Sequence, residues 1–291
     1  MTHDQSFPRP SSKSVNLRVQ HEKLPPIRYS FVLLRVIHYI LDLRRRYPTT
    51  KIYLCKFDID SAYCWCTLSS STAYESLTMF DDFLIMALRM TFGGLPNPAL
   101  WSVISETTTD IGNTLLLNDE WDHQTTFDKI SDQIEKPLSL PDSMDFHQSR
   151  DLAVQLPKND CGKIDIFIDD SIGVAPDLGS IPIRVIRAIP LAIRTLARPL
   201  LEQDILPRKD IIFLKKLQAE GRLEETKIIL GWMINTRLLQ ISLPDHKFLA
   251  WSEDIDSLIS AGKCSYQLLE TLLGRLNHVA CIFMPMRHFL G

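Results

Sequence analysis

Asp58 closes a short apolar stretch and is followed by Ile59-Asp60-Ser61-Ala62-Tyr63, while 111 positions later Asp169-Asp170 stands between two further apolar runs. Both acidic features fall at expected strand ends. If those strands neighbour one another in an antiparallel sheet, the three carboxylates converge, and like charges crowded in this way are tolerated chiefly when divalent cations bind between them. Two such ions about 3.5–4 Å apart can activate an attacking hydroxyl and stabilise a leaving phosphate in an in-line displacement, which is the chemistry of nucleotidyl transfer. The spacing alone leaves other readings open. Asp-Asp pairs are frequent in solvated turns, and an unrelated two-metal nuclease or phosphatase would use the same carboxylates.

Apolar periodicity predicts the elements that must position these residues. Tyr29–Arg46 carries Phe31, Leu34, Ile37 and Leu41 at helical spacing, gathers arginines in its last turn and stops before Pro48. Lys51–Phe57 then reads as the strand leading to Asp58. A second apolar run, Phe83 to Thr91, ends at Gly93, Gly94, Pro96 and Pro98, and a helix is expected over Ala99–Leu117 with Pro98 in its first turn. Ile164–Ile168 and Ile172–Ala175 read as a tight hairpin with Asp169-Asp170-Ser171 as its turn. A helix follows through Ile186, Ile189, Ile193, Leu196 and Leu200, kinked at Pro190, with Arg184, Arg187, Arg194 and Arg198 on a face expected to be solvated. Thr226–Ile234 and Leu238–Leu243 flank Asn235-Thr236-Arg237 as another hairpin, and Ser265–Phe283 is a helix with Leu268, Leu269, Leu272, Leu273, Leu276 and Val279 on its apolar side. The expected class is α+β, an antiparallel sheet backed by helices.

Composition bounds the alternatives. The chain has 291 residues, 45% hydrophobic and 23% charged, enough for a sizeable core. Its longest apolar-rich stretch, Phe31 to Leu43, is interrupted by Arg35, His38 and Asp42, and Met1 to Ser12 lacks a signal-peptide core, so the expectation is an intracellular protein, cytoplasmic or nuclear, with no membrane partner. Six cysteines without a Cys-x-x-Cys pair argue against a structural zinc site or a disulfide framework, and most read as small core residues. The net charge of −3 conceals an asymmetry: residues 1–57 hold 11 Lys and Arg against 3 Asp and Glu, whereas residues 58–163 hold 6 against 17. The basic segment could face phosphates, but Arg44, Arg45 and Arg46 more simply complement the C-terminal end of a helix dipole. Asn118–Gly162 is acidic and broken by Pro137, Pro141 and Pro157, which reads as a surface insertion, partly disordered.

Lys56-Phe57-Asp58-Ile59-Asp60-Ser61-Ala62-Tyr63 resembles the first catalytic motif of reverse transcriptases. Thr91-Phe92-Gly93-Gly94-Leu95-Pro96-Asn97-Pro98-Ala99-Leu100-Trp101 is similar to their nucleotide-and-template motif, and Phe167-Ile168-Asp169-Asp170 to their aromatic-x-Asp-Asp box. Ile229-Leu230-Gly231-Trp232 with Asn235-Thr236 resembles the primer-grip hairpin. Leu272-Leu273-Gly274-Arg275-Leu276-Asn277 with Arg287-His288-Phe289-Leu290 resembles the start of the thumb in retrotransposon enzymes, specifically the tyrosine-recombinase (DIRS-like) group. The motifs occur in the family's order.

The resemblance implies a polymerase palm and an RNA-directed DNA polymerase that takes an RNA or DNA template with its primer and deoxynucleoside triphosphates. Asp58 and Asp169 would bridge Mg2+ (or Mn2+), with the Ile59 carbonyl as a further ligand and Asp170 more peripheral. Ala62 would offer its backbone N–H to the triphosphate, Tyr63 would gate the sugar against a 2′-hydroxyl, and Phe92 and Gly93 would line the nucleotide pocket. Lys227 is a candidate phosphate contact or proton donor, and Leu230, Gly231 and Trp232 would grip the primer. Pro98 and Trp101 would be structural. The implied organisation is a fingers remnant with a connecting helix (1–50), palm (51–117), acidic flexible insertion (118–162), palm with primer grip (163–243) and partial thumb (244–291).

The chain also departs from the family pattern. Cys64 stands where a basic residue is common. The stretches His3-Asp4-Gln5-Ser6-Phe7 and Ser14-Val15-Asn16 look like the end of the fingers strands, which puts the triphosphate-clamping Arg and Lys before Met1. The thumb is cut at Gly291, no RNase H segment is present, and Asp58 and Asp169 are unusually far apart. A reading as a catalytically inactive nucleic-acid- or protein-binding module therefore stands beside the polymerase reading, and partner domains such as RNase H or an integrase or recombinase are expected to be encoded alongside. A nuclease or phosphatase leaves the glycine-proline motif and the thumb-like tail unexplained.

Overall fold

Strand β1 (Ile52–Asp58) is buried along its whole length except at Lys56, which requires cover on both faces of its sheet. The computed structural model, which describes residues 14, 16–123, 133–152, 156–197, 203 and 210–289, supplies that cover with helices. β1 pairs antiparallel with β5 (Asp170–Pro176), and β5 with β4 (Lys163–Phe167), giving the order β1-β5-β4. The register places Leu54 opposite Val174, Lys56 opposite Ile172 and Asp58 opposite Asp170, so these pairs share one face. Helix α1 (Val32–Arg46) packs there, with Arg35 forming a bidentate pair to the buried Asp165 at 2.6 and 2.7 Å. The opposite face carries Tyr53, Cys55, Phe57, Ile164 and Ile166 against α3 (Asn97–Leu117) and α4 (Ile181–Leu196). Gly173 permits the close approach of α4, since a Cβ there would lie 2.5 Å from Cys55 Sγ and 2.7 Å from Val185. This α+β arrangement is the expected class.

The remaining elements are α2 (Ser70–Glu75), the hairpin β2 (Thr78–Phe80) and β3 (Phe83–Ile85), α5 (Leu214–Glu220), the sheet β6 (Thr226–Ile229), β7 (Trp232–Asn235) and β8 (Gln240–Ser242), α6 (Asp245–Ala261) and α7 (Tyr266–Ala280). The chain divides into two compact units, Met1–Ile229 with Ile234–Gln240, and Leu230–Met233 with Ile241–Gly291. In the second unit α7 opens on Ser265, whose side chain caps the Leu268 N–H, and Trp232 stacks on His278 with ring centroids 5.0 Å apart. Among the described residues no helix is long and apolar enough to cross a membrane.

Four expectations are corrected. The turn of the acidic hairpin is Ile168-Asp169, not Asp169-Asp170-Ser171, because Asp170 already pairs with both Asp58 and Phe167 and Ile168 takes the left-handed φ of 56°. Thr226–Ile234 is not one strand, because Leu230 and Gly231 both have positive φ (48° and 84°), the signature of a two-residue hairpin turn. The arginine face of α4 is not simply solvated: Arg184 donates to the carbonyls of Leu115, Leu116, Asn118 and Trp121, closing the C-terminal end of α3, and Arg187 donates to His123. Of the cysteines only Cys55 is buried, while Cys264 and Cys281 are exposed, and all six are free.

Two of the three arginines at the end of α1 work internally, while Arg45 is exposed. Arg44 is fully buried and donates to the carbonyls of Pro48, Thr50 and Thr236, and Arg46 binds Asp42, Asn159 and Asp160. Residues 133–152 carry little regular structure but are tied down: Leu138 and Leu140 donate to Leu223 and to Glu225, and the Phe146 ring lies between the Arg44 and Arg237 guanidinium groups at 4.7 and 4.4 Å. The segments His3–Phe7, Val15, Arg198, Leu200 and Leu290 lie outside the described residues.

Candidate metal centre

The β1–β5 register puts Asp58 opposite Asp170 at the end of the sheet, and the two-residue turn before Asp170 swings Asp169 to the same spot. The Ile59 N–H donates to the Asp169 carbonyl at 3.0 Å, tying the turn to the exit of β1. Trp101 of α3, itself buried, donates its indole N–H to the Ile168 carbonyl at 2.7 Å. With these supports, one carboxylate oxygen from each of Asp58, Asp169 and Asp170 lies within 4.8 Å of the others. Sequence proximity accounts only for the second and third; the first arrives through strand pairing.

Two lysines face the cluster. Lys56 shares the Asp58 face of β1, and its Nζ lies 3.2 Å from Asp170 Oδ1 and 2.9 Å from Glu220 Oε2. Lys216, from α5, places Nζ 3.0 Å from Asp58 Oδ2. α5 is set beside β1 by the Phe213 N–H donating to the Asp58 carbonyl and the Asp60 N–H donating to Ile211. The neutralisation is incomplete. Asp58 is buried and its Oδ1 has no hydrogen-bond partner among the described residues. Burial and the neighbouring Asp58 charge hold the Asp169 carboxyl above its usual range. Burial pushes Asp170 up to about 6 even though Lys56 pulls the other way. A buried carboxylate oxygen left without a donor, beside two carboxyls that resist ionisation, is an all-oxygen site short of positive charge, which fits a hard divalent cation. No hydrogen bond among the described residues reaches the Ile59 carbonyl, so it is free to serve the same site.

Beside the carboxylates the chain turns at Ser61, with φ of 56°, into the 3-10 segment Ala62–Trp65, pinned by the Trp65 indole N–H on the Asp60 carbonyl at 2.6 Å. Ala62 and Tyr63 are buried. The Tyr63 ring meets Phe92 edge-on at 5.1 Å and Trp101 at 6.4 Å, and burial pushes its phenol up to about 12. Phe92 is exposed, and Gly93 takes φ of 100°, with Asn16 accepting from Leu95 and donating to the Gly93 carbonyl. The segment Thr91–Pro96 is thus a held loop that delivers the chain into α3, where Asn97 donates to Thr91.

The structure therefore brings together Asp58, Asp169, Asp170 and Ile59, and packs Tyr63 against Phe92 beside Trp101. Lys227 stands elsewhere: it is buried, with Nζ donating to the Glu220 carbonyl at 2.8 Å and paired with Glu224 at 3.1 Å. Leu230, Gly231 and Trp232 belong to the second unit, where Trp232 is a core residue. Sequence reasoning missed Lys56, Lys216 and Glu220. Lys56 was signalled by its position two residues before Asp58, on the same strand face. Lys216 and Glu220 carried no signal, since their short helix has no long apolar period.

No family model matches the sequence, and no curated protein matches it. Among solved structures the chain is similar to a foamy viral protease-reverse transcriptase dRH in complex with double-stranded DNA, at 13% identity and TM-score 0.47 over 94% of this chain and 35% of that one. It is also similar to the foamy viral protease-reverse transcriptase in complex with an RNA/DNA hybrid (14%, TM-score 0.44, 82% of this chain and 24% of that one) and with double-stranded DNA (15%, 0.41, 78% and 32%). The chain spans about a third or less of the length of these proteins.

Proposed function

We propose that the chain carries the nucleotidyl-transfer centre of an RNA-directed DNA polymerase of retrotransposon type, resembling the DIRS-like group. The observation that carries this reading is the convergence of Asp58, Asp169 and Asp170 at one sheet end, with a buried carboxylate oxygen that has no partner among the described residues. The motif order read from the sequence adds the substrate class. Residues 51–117 and 163–243 then form the palm, 118–162 an insertion, 244–291 part of a thumb, and 1–50 part of the fingers with a connecting helix.

Asp58, Asp169 and the Ile59 carbonyl would hold Mg2+ or Mn2+, with Asp170 at the edge; when bound, the ions supply activation of the primer 3′-hydroxyl and charge neutralisation at the leaving pyrophosphate. The chain's own residues do the rest. Trp101 and Ile59 fix the acidic turn, so that the carboxylates are preorganised before substrate arrives. Tyr63, backed by Phe92 and Trp101, presents a rigid wall to the sugar and excludes a 2′-hydroxyl. Ala62 directs its backbone N–H to the triphosphate, while Gly93 lets the loop backbone come close to the base pair. Lys56 keeps Asp170 compensated. Lys227 is engaged within the protein and takes no part in this reading. Leu230 and Gly231 would contact the primer strand from their turn, with the buried Trp232 supporting that turn from within.

The test is extension of a DNA primer on an RNA template with Mg2+ or Mn2+, comparing the folded wild type with Asp169→Ala. Extension by the wild type that vanishes in the variant is the expected result. Extension that survives in Asp169→Ala would overturn the site assignment. A folded wild type that binds primer-template without extending it would favour the binding-module reading.

A further inference from the structure

Two ammonium groups face the carboxylates, and the two are not equivalent. Lys56 rises from β1, is 14% exposed, and is anchored on two sides by Asp170 and Glu220. Lys216 comes from α5, is 43% exposed, and among the described residues forms one close ion pair, to Asp58 Oδ2, with Asp169 and Asp170 in its field. We propose that Lys216 is a displaceable counter-cation, neutralising Asp58 while no metal is bound and leaving when a divalent ion takes that carboxylate, so that it sets the metal affinity of the centre. This rests on reading the carboxylates as a metal centre.

The physical argument is one of charge and reach. An ammonium 3.0 Å from Asp58 Oδ2 and a divalent ion about 2.0–2.4 Å from the same carboxylate would face each other as like charges at short range in a half-buried site. One of them leaves. Lys216 can do so because its long stem is flexible and its 43% exposed ammonium returns to water, while the arriving ion takes over compensation of the buried Asp58 carboxylate. Removal of Lys56 would instead strip both Asp170 and Glu220 of their cation, so it stays. The division of labour matches the carboxylates: the oxygen without a donor belongs to Asp58, the residue whose cation can move.

The experiment is Mn2+ binding without nucleotide, followed by calorimetry and by the free-ion electron paramagnetic resonance signal. Wild type, Lys216→Met, Lys216→Gln, Asp58→Asn and Lys215→Met are compared, the last controlling for loss of one exposed positive charge on the same helix. Both Lys216 variants are expected to bind Mn2+ about tenfold more tightly than wild type and clearly more tightly than Lys215→Met. Their melting temperature should fall below wild type in EDTA and rejoin it in saturating Mn2+. If the Lys216 variants bind no better than Lys215→Met while Asp58→Asn abolishes binding, the counter-cation role is overturned and the metal centre stands. If Mn2+ binding is absent throughout, or indifferent to Asp58→Asn, the metal centre falls and the role of Lys216 with it.

Discussion

The indole N–H of Trp101 ends on the carbonyl of Ile168, 67 residues away, at the one position of the acidic hairpin where a β-branched residue is held at positive φ. That conformation costs on the order of 1–3 kcal/mol and persists only because its surroundings enforce it. The enforcing group is a fully buried donor with no other acceptor among the described residues. Trp101→Phe, which keeps an aromatic ring but removes the donor, should therefore lower stability by about 1–3 kcal/mol in urea unfolding and weaken Mn2+ binding. A variant that unfolds earlier yet binds Mn2+ as well as wild type would mean that Trp101 supports the core without setting the turn.

Asp170 makes a pH signature. Its folded pKa, about 6, lies above the unfolded value of 3.8, so between those values the folded state binds more protons than the unfolded chain. The contribution of this carboxyl to metal-free stability is thus best at low pH and worsens as pH rises through about 6. Asp170→Asn removes the charge that burial opposes and should raise metal-free stability at pH 7.5 by on the order of 1–2 kcal/mol, with the gain shrinking toward pH 4. The check is the difference between variant and wild-type melting across pH in EDTA. A gain that does not depend on pH would contradict the assignment.

The ion pair Arg237–Glu225 has both side chains at 0% exposure, joined by two hydrogen bonds, and it organises the neighbouring chain: Arg237 donates to Pro141 and Glu225 accepts from Leu140. Arg237→Met leaves a buried carboxylate uncompensated and should destabilise the protein by about 3–5 kcal/mol. The double variant Arg237→Met with Glu225→Met should recover much of that loss, because the charge left behind is then gone. Equal losses in the single and double variants would show that the hydrogen bonds to residues 140–144, not the charge pair, carry the stability.

How much of this was legible in the sequence depended on the range of the interaction that fixed each feature. Local periodicity placed α1, β1, α3, α4 and α7 to within a few residues, since their burial stripes are long. It failed for α5 and β2, which are too short to complete a period, and for α6, where no residue is buried and the stripe is correspondingly weak. The Leu230-Gly231 turn was hidden because leucine is an unexpected residue at φ of 48°, whereas Asn-Gly there would have announced it.

The candidate site divides in the same way. The convergence of Asp58, Asp169 and Asp170 was readable because all three stand at the ends of apolar runs, whereas Tyr63 entered only through the motif resemblance. Lys216 was not, since nothing near it in the chain indicates that α5 will lie against β1. The arginines of α1 and α4 were ambiguous for a related reason: a guanidinium that caps carbonyls from a distant helix, as Arg184 does, has the same local sequence as one facing water.

The sugar-gate role proposed for Tyr63 leads to the last prediction. Tyr63 is 6% exposed, and its ring is fixed between Phe92 and Trp101, so it cannot swing aside for a bulkier sugar without breaking two aromatic contacts. Tyr63→Val removes the ring face and leaves a smaller apolar, β-branched side chain. It should cost about 1–3 kcal/mol of stability through lost packing and admit ribonucleotides, reducing the preference for deoxynucleotides by roughly tenfold or more if the excluded contact is worth at least 1.4 kcal/mol. Single-nucleotide incorporation from paired deoxy- and ribonucleoside triphosphates measures the ratio directly. Tyr63→Phe serves as the companion: it keeps the wall and should keep the discrimination, since exclusion depends on the ring's volume and not on its hydroxyl. Unchanged selectivity in Tyr63→Val, or equal loss in both variants, would remove the residue from the sugar gate.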